Sequence, residues 1–289
     1  MHVGADTGGT FTDLVSGDGR VVKVLSTPVD PGRALRAGLD ELGGGAPGLL
    51  AHGTTVATNA LLERRGARVA LVTTMGFADV IEIGRQDRPS LYDIWADRPA
   101  PLVARELRFE VPGRLDAAGH ELTPLPPSWA APAIPEDVGA VAVCLLHADL
   151  NPAHERAVAA ALEEQGADVS RSSVVSPEFR EYERAVTTVV NAYLRPVCRP
   201  YLEQLQGLAG EVLVMTSAGG LMASGEAARL PAALLLSGPA GGVRAGAAVA
   251  AACGYPDAVT FDMGGTSTDV CLVLGGVPEP AGERLVGGL

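Results

Sequence analysis

The octapeptide DTGGTFTD at residues 6–13 returns near the other end of the chain as DMGGTSTD at residues 262–269. Both copies match D-x-G-G-T-x-T-D, and each is preceded and followed by a short run with the alternation of a strand. Asp, Gly and Thr are turn formers, so one copy alone reads equally well as an ordinary hairpin turn. Two copies of one spelling are not explained by turn chemistry. Glycine pairs after a strand let backbone N–H groups converge on an anion, because no Cβ stands in the way. The spelling is neither the G-K-[ST] loop that opens a helix nor the dinucleotide G-x-G-x-x-G, since here the turn joins two strands.

The candidate site follows from these residue types. Gly8, Gly9, Thr10 and Thr12 of the first copy, and Gly264, Gly265, Thr266 and Thr268 of the second, would supply amides and hydroxyls to phosphate oxygens. Asp6 and Asp262, at the strand ends, are small hard carboxylates suited to holding Mg²⁺ through water, and are the candidate metal and catalytic residues. Their charge would repel phosphate unless a cation lay between. Two such hairpins facing one another across a cleft would clamp the β and γ phosphates of a nucleotide. Asp13 and Asp269, which close the octapeptides, are expected to tie down the hairpin backbone.

Composition limits the alternatives. A chain of 289 residues, with 47% hydrophobic and 19% charged residues, has the length for about two domains and the profile of a soluble globular protein. Acidic residues outnumber basic ones, 34 to 22, giving a net charge of −12, so the electrostatic footprint of a nucleic-acid binder is absent. Any bound anion must be held locally. Cys144, Cys198, Cys253 and Cys271 form no C-x-x-C pair and are expected as buried, reduced thiols. The opening MHVGAD lacks the layout of a signal peptide, and the longest apolar runs, such as VGAVAVCLL (138–146), are too short to span a bilayer. A cytoplasmic protein without membrane contact is expected.

Along the chain, strands over 2–6, FTDLVSG and VVKVLS predict an antiparallel meander, followed by an amphipathic helix over 30–42 with Asp30 as cap and Pro31 at the first helical position. A loop and helix over 52–66, a strand over 67–74 and a short helix in GFADVIEIGRQ come next. Residues 87–135 are proline-dense and irregular, with one expected hairpin over 106–125. Strand 139–146, helix 151–165 and strand 168–175 restore an α/β alternation. A long helical segment over 176–205 holds Pro196 and Pro200, which predict a kink or break near Arg195. Strand 211–215, a glycine turn (217–220), an Ala-rich helix over 238–253 and strands 258–262 and 268–274 complete the chain.

These features resemble the actin, sugar kinase and heat-shock-chaperone superfamily. More narrowly, the sequence is similar to the hydantoinase A and 5-oxoprolinase family through GADTGGTFTDLV (4–15), HGTTVATNALLERRGARVALVTTMGFADVIEIGRQDRPSLYD (52–93), SPEFREYERAVTTVVNAYLRPV (176–197), SGPAGGV (237–243) and FDMGGTSTDV (261–270). The resemblance implies an α/β fold of ribonuclease H-like lobes with mixed sheets, a phosphate hairpin in each lobe, and ATP with Mg²⁺ as cofactors. It places an N-terminal domain over 1–175 and the start of a second over 176–289, with GPAGG on the first interlobe connector and the adenosine-binding stretch expected beyond Leu289. The implied activity is ATP-dependent hydrolysis of a cyclic amide of the hydantoin or 5-oxoproline type: phosphorylation of the carbonyl oxygen, then ring opening by water. A hydantoinase B-like partner and an oligomeric assembly are implied as well. Two alternatives stay open: the nucleotide-using subunit of an acetone- or acetophenone-type carboxylase, and an inactive or fragmentary nucleotide-responsive module. Ala218 stands where the family pattern has Asn in Ser-Asn-Gly-Gly, which puts an amide role there in doubt.

Other polar residues read more simply. His52 is expected as a hydrogen-bonded structural histidine rather than a cleft residue. Arg85 and Arg88 are expected on the solvated surface, and Glu183 with Arg184 as a salt-bridged helix face. His154 beside Glu155 has no second ligand at helical spacing and is not expected to bind metal.

Overall fold

A computed structural model describes residues 1–27, 30–263, 268–280 and 286–287. The chain opens as the expected meander: β1 (His2–Thr7), β2 (Phe11–Ser16) and β3 (Val21–Leu25) pair antiparallel in sequence order. Alternation sorts the side chains, so that Val3, Ala5, Thr7, Thr12 and Leu14 are buried on one face while Asp6 and Val15 lie on the other. The Asp30 carboxylate accepts from the Arg33 amide and Pro31 opens α1 (Pro31–Leu42) as predicted. This helix lies on the buried face, where a Cβ at Gly38 would come within 2.2 Å of Leu14. The strand β4 (Leu49–Thr54) then runs parallel to β1, and α2 (Val56–Leu62) follows.

The next stretch holds β5 (Val69–Thr74), α3 (Val80–Ile83), β6 (Arg108–Val111), β7 (Arg114–Leu115), β8 (Glu121–Thr123), β9 (Ala140–Cys144), α4 (Ala153–Glu163), β10 (Val169–Arg171), α5 (Ser172–Val175) and α6 (Glu181–Leu205). Four of these strands form an all-parallel sheet in the order β10-β9-β5-β6. Their central members, β5 and β9, are buried at every position, which a parallel sheet covered on both faces requires.

Three expectations need correction here. The hairpin over 106–125 is shorter, because β6 pairs with β5 and only β7 and β8 form a hairpin. The strand over 168–175 ends at Arg171 and turns into α5. Finally, α6 passes through Pro196 and Pro200 without a break, since burial of Leu194, Cys198, Tyr201 and Leu202 outweighs the missing backbone donors.

The remaining elements are β11 (Glu211–Met215), β12 (Leu221–Ala223), α7 (Ser224–Arg229), α8 (Ser237–Ala252), β13 (Ala258–Met263), β14 (Thr268–Leu274) and β15 (Val277–Pro278). The strand β11 joins β4 in parallel, giving a six-stranded mixed sheet in the order β12-β11-β4-β1-β2-β3. An antiparallel meander continued by two parallel strands on its first member is the ribonuclease H-like arrangement. The last three strands make a separate antiparallel sheet.

Packing divides the chain into two compact units, Met1–Ala60 with Cys198–Arg284 and Leu61–Val197 with Leu285–Leu289. In the first unit, β11 completes the sheet that β1 and β4 begin. The cysteines are all free, but only Cys144 and Cys198 are buried; Cys253 is exposed and Cys271 half-buried, which corrects the expectation of four buried thiols.

Candidate functional site

In both octapeptides the flanking strands pair antiparallel in one register. In the first, Asp6 pairs with Asp13 and Thr7 with Thr12; in the second, Asp262 pairs with Asp269 and Met263 with Thr268. Corresponding letters of the two octapeptides therefore occupy corresponding rungs of the two ladders. The predicted phosphate contacts Gly264, Gly265 and Thr266 lie outside the described residues.

The first turn is braced from within. The Gly8 amide donates to the Phe11 carbonyl at 3.0 Å, the Ser26 hydroxyl donates to the Gly8 carbonyl at 2.8 Å, and the Ser26 amide donates to the Thr10 carbonyl at 2.9 Å. Thr12 is fully buried, with its hydroxyl 3.0 Å from that of Ser26. Period-two alternation directs Thr12 into the core, so its hydroxyl is occupied in holding the turn and does not face solvent. Gly9 and Thr10 are exposed, and a Cβ built on Gly9 would meet nothing within 4 Å. The open part of this turn is thus the backbone of Gly9 and Thr10 with the Thr10 side chain. Thr268, at the rung matching Thr12, is exposed.

Each hairpin also sets two carboxylates directly across from one another, an arrangement that repels unless compensated. In the first hairpin the third strand supplies part of the compensation: Lys23 pairs with Asp13 in register and its ammonium lies 2.7 Å from the Asp13 carboxylate. Asp6 has no basic partner among the described residues. Desolvation first, and the charge of Asp13 second, raise its pKa above the usual aspartate value, although part of the residue surface remains exposed. A hard cation fits this donor set, as it would stabilise the ionised form of an oxygen ligand that the protein leaves uncompensated. No group of three or more metal-ligating side chains occurs among the described residues, so an ion here would take few protein ligands and complete its shell with phosphate oxygens and water.

Beneath the same strand ends, His52 is fully buried with Nε2 2.5 Å from the Tyr201 hydroxyl. Burial drives the His52 pKa down to about 4 and pushes the Tyr201 phenol up to about 12, so both are neutral near pH 7. His52 is a core residue, as the sequence indicates.

The helix α8 carries the GPAGG stretch and starts beside the end of β4. Its Ser237 hydroxyl donates to the Thr54 carbonyl at 3.4 Å, and the Leu236 amide donates to Thr58 Oγ1 at 3.1 Å. Small residues let it approach two sheets: a Cβ at Gly241 would lie 3.8 Å from Met215 on β11, and one at Gly246 would lie 2.8 Å from Thr260 on β13. Val212 and Val214 are buried on one face of β11, so Met215 marks the opposite face, the one that carries Asp6 on β1.

Elsewhere the placements are structural. Arg85 pairs with Glu183 at 2.6 Å on the surface, and His154 meets Glu121 at 2.7 Å. Arg184, expected with Glu183 on a salt-bridged helix face, is salt-bridged but buried, bonded to Asp149 at 2.8 Å and to the Leu145 and Glu178 carbonyls. Sequence reasoning missed the roles of Ser26 and Lys23. Both lie outside the repeated motif, and only the in-register meander brings them to it.

Residues 2–166 match the hydantoinase/oxoprolinase N-terminal region, and residues 184–289 match hydantoinase/oxoprolinase. Caprolactamase subunit alpha of Pseudomonas jessenii is 38% identical over 95% of this chain and 44% of its own length. For 5-oxoprolinase 1 of Arabidopsis thaliana the identity is 33%, over 92% of this chain and 25% of the relative. Among solved structures, nucleotide-free acetone carboxylase, from work on ATP-dependent acetone carboxylation, superposes with a TM-score of 0.78 at 27% identity, covering 96% of this chain and 44% of that one. The chain thus spans less than half the length of these relatives.

Proposed function

The chain belongs to the hydantoinase/oxoprolinase family, and from that membership we propose that it is the nucleotide-binding portion of an ATP-dependent hydrolase that activates a cyclic amide by phosphorylation before ring opening. The observation that carries the reading is the shared register of the two hairpins, each with an aspartate as the penultimate residue of its first strand. When bound, ATP would supply the phosphoryl group and Mg²⁺ the charge compensation that make an amide carbon open to attack by water. The backbone of Gly9 and Thr10 and the Thr10 hydroxyl would hold phosphate oxygens on one side, with Gly8 bonded inside the turn, and Gly264, Gly265, Thr266 and Thr268 would do so on the other. Asp6 and Asp262 would orient the ion through water. Thr12 and Ser26 would keep the first turn in the shape these contacts need. Phosphoryl transfer depends mainly on such positioning and charge compensation.

A relative that is named as a subunit supports a partner chain. We place a hydantoinase B-like subunit or domain in that role, within an oligomer. No described helix is long and apolar enough to cross a membrane, and the proposed location is the cytoplasm. The acetone carboxylase likeness favours one second reading, a carboxylase subunit that activates a ketone or bicarbonate through the same nucleotide site. ATP turnover by the chain, alone and with a B-type partner, separates the two when screened over hydantoins, 5-oxoproline, lactams, and ketones with bicarbonate. Phosphate release that depends on a cyclic amide is expected. Release that depends only on ketone and bicarbonate would replace the hydrolase reading with the carboxylase one.

A further inference from the structure

We infer that Gly53 is a positioning residue for Asp6, kept free of a side chain so that the Asp6 carboxylate can occupy the space above it. In the parallel pairing of β1 with β4, Asp6 stands in register with Gly53, so residue 53 would project on the same sheet face as the aspartate. A Cβ built on Gly53 falls 2.7 Å from Asp6 Oδ1, inside any real carbon–oxygen contact, while its next neighbours are 3.6 Å and 3.8 Å away. The conflict is therefore with one atom, the carboxylate oxygen, and not with the backbone. No positive φ requires glycine at 53, and a glycine inside a strand weakens it. Close approach of a neighbouring group is what remains to account for it. The adjacent Ala51 and Leu49 alternate onto the same face and carry side chains, so the gap is local to the rung of Asp6.

The consequence is mechanical. An alanine at 53 leaves the strand intact but turns Asp6 about χ1, away from the position it holds at the end of β1. This inference rests on the reading of Asp6 as a carboxylate that orients the nucleotide's cation. The resulting expectation is specific: Gly53→Ala acts through Asp6 and on the Mg²⁺-dependent part of nucleotide affinity alone.

The test is a double-mutant cycle on the full chain, with ATP as the calorimetric probe in the presence of Mg²⁺ and again in EDTA, together with a crystal structure of Gly53→Ala. Asp6→Asn and Gly53→Ala should each reduce the gain in affinity that Mg²⁺ confers by about tenfold, the scale seen when a metal ligand loses its orienting neighbour. The double variant should match Asp6→Asn; in EDTA, Gly53→Ala should bind ATP as the wild type does, and Asp6→Asn, which removes a repelling charge, should bind it no more weakly. The crystal structure should show the Asp6 carboxylate displaced. If Asp6→Asn weakens Mg²⁺-dependent binding and Gly53→Ala does not, or if Gly53→Ala acts equally in the Asp6→Asn background, the inference about Gly53 fails while the reading of Asp6 stands. If Asp6→Asn changes nothing, the reading of Asp6 itself fails. Should Gly53→Ala not fold, Asp6→Ala in the same chain must restore folding, because it removes the obstructing oxygen. An unchanged Asp6 side chain in the variant crystal structure would overturn the inference without any nucleotide present.

Discussion

Asp6 and Asp13 stand directly opposite one another on paired strands, and Lys23, one strand further on, contacts only the second of them. One carboxylate is thus compensated from within the fold, while the other has no basic partner among the described residues. Lys23→Gln should therefore destabilise the protein by about 0.5 kcal/mol, the scale of an exposed pair. Asp13→Asn in the same chain should recover the loss. Denaturant melts at low and high salt check this, and the difference should shrink as salt rises.

The buried His52–Tyr201 pair makes stability depend on pH. The folded His52 pKa is about 4, below the ordinary 6.5, so an unfolded chain takes up a proton where the folded chain does not. Its contribution is complete above about pH 6.5 and is lost as pH falls from there towards 4, by at most about 3 kcal/mol. Urea midpoints measured across this range should fall with acidification, and His52→Gln should flatten that part of the profile. Tyr201→Phe should cost about 1 kcal/mol at neutral pH through the lost hydrogen bond.

Arg184 is expected to be among the residues least tolerant of substitution. Its guanidinium is buried against Asp149, whose side chain is itself only 10% exposed. Arg184→Met would leave that carboxylate and two backbone carbonyls without their donor, for a loss of about 3–5 kcal/mol. Thermal unfolding measures it. The double variant Arg184→Met/Asp149→Leu should recover a large part, since removing both charges avoids the uncompensated one.

Much of this was legible in the chain because local rules and tertiary context agree. The meander, the Asp30-capped helix α1 and both hairpins follow from turn chemistry, capping and alternation. The misreadings fall where tertiary packing overrides a local signal. Pro196 and Pro200 do not break α6, because one face of the helix is buried on both sides of them. Arg184 looked like a helix-face charge since nothing near it in sequence announces Asp149, 35 residues earlier in the chain. Thr12 looked like a second phosphate donor, yet period two sends it to the face opposite Asp6. Gly53 carries no sequence signal of its own. Only the parallel register of β4 with β1 reveals what its missing side chain leaves room for.

The central claim is that two hairpins of one strand register serve one nucleotide, so their leading aspartates should matter alike. The most direct measurement is cyclic-amide-dependent phosphate release by a complete family enzyme carrying the equivalent of Asp6→Asn or Asp262→Asn, at saturating Mg²⁺. Each substitution keeps the shape and removes a charge, and turnover should fall by roughly two to three orders of magnitude in both, about the loss of one strong electrostatic contact. Turnover at the wild-type rate in either variant would contradict the account.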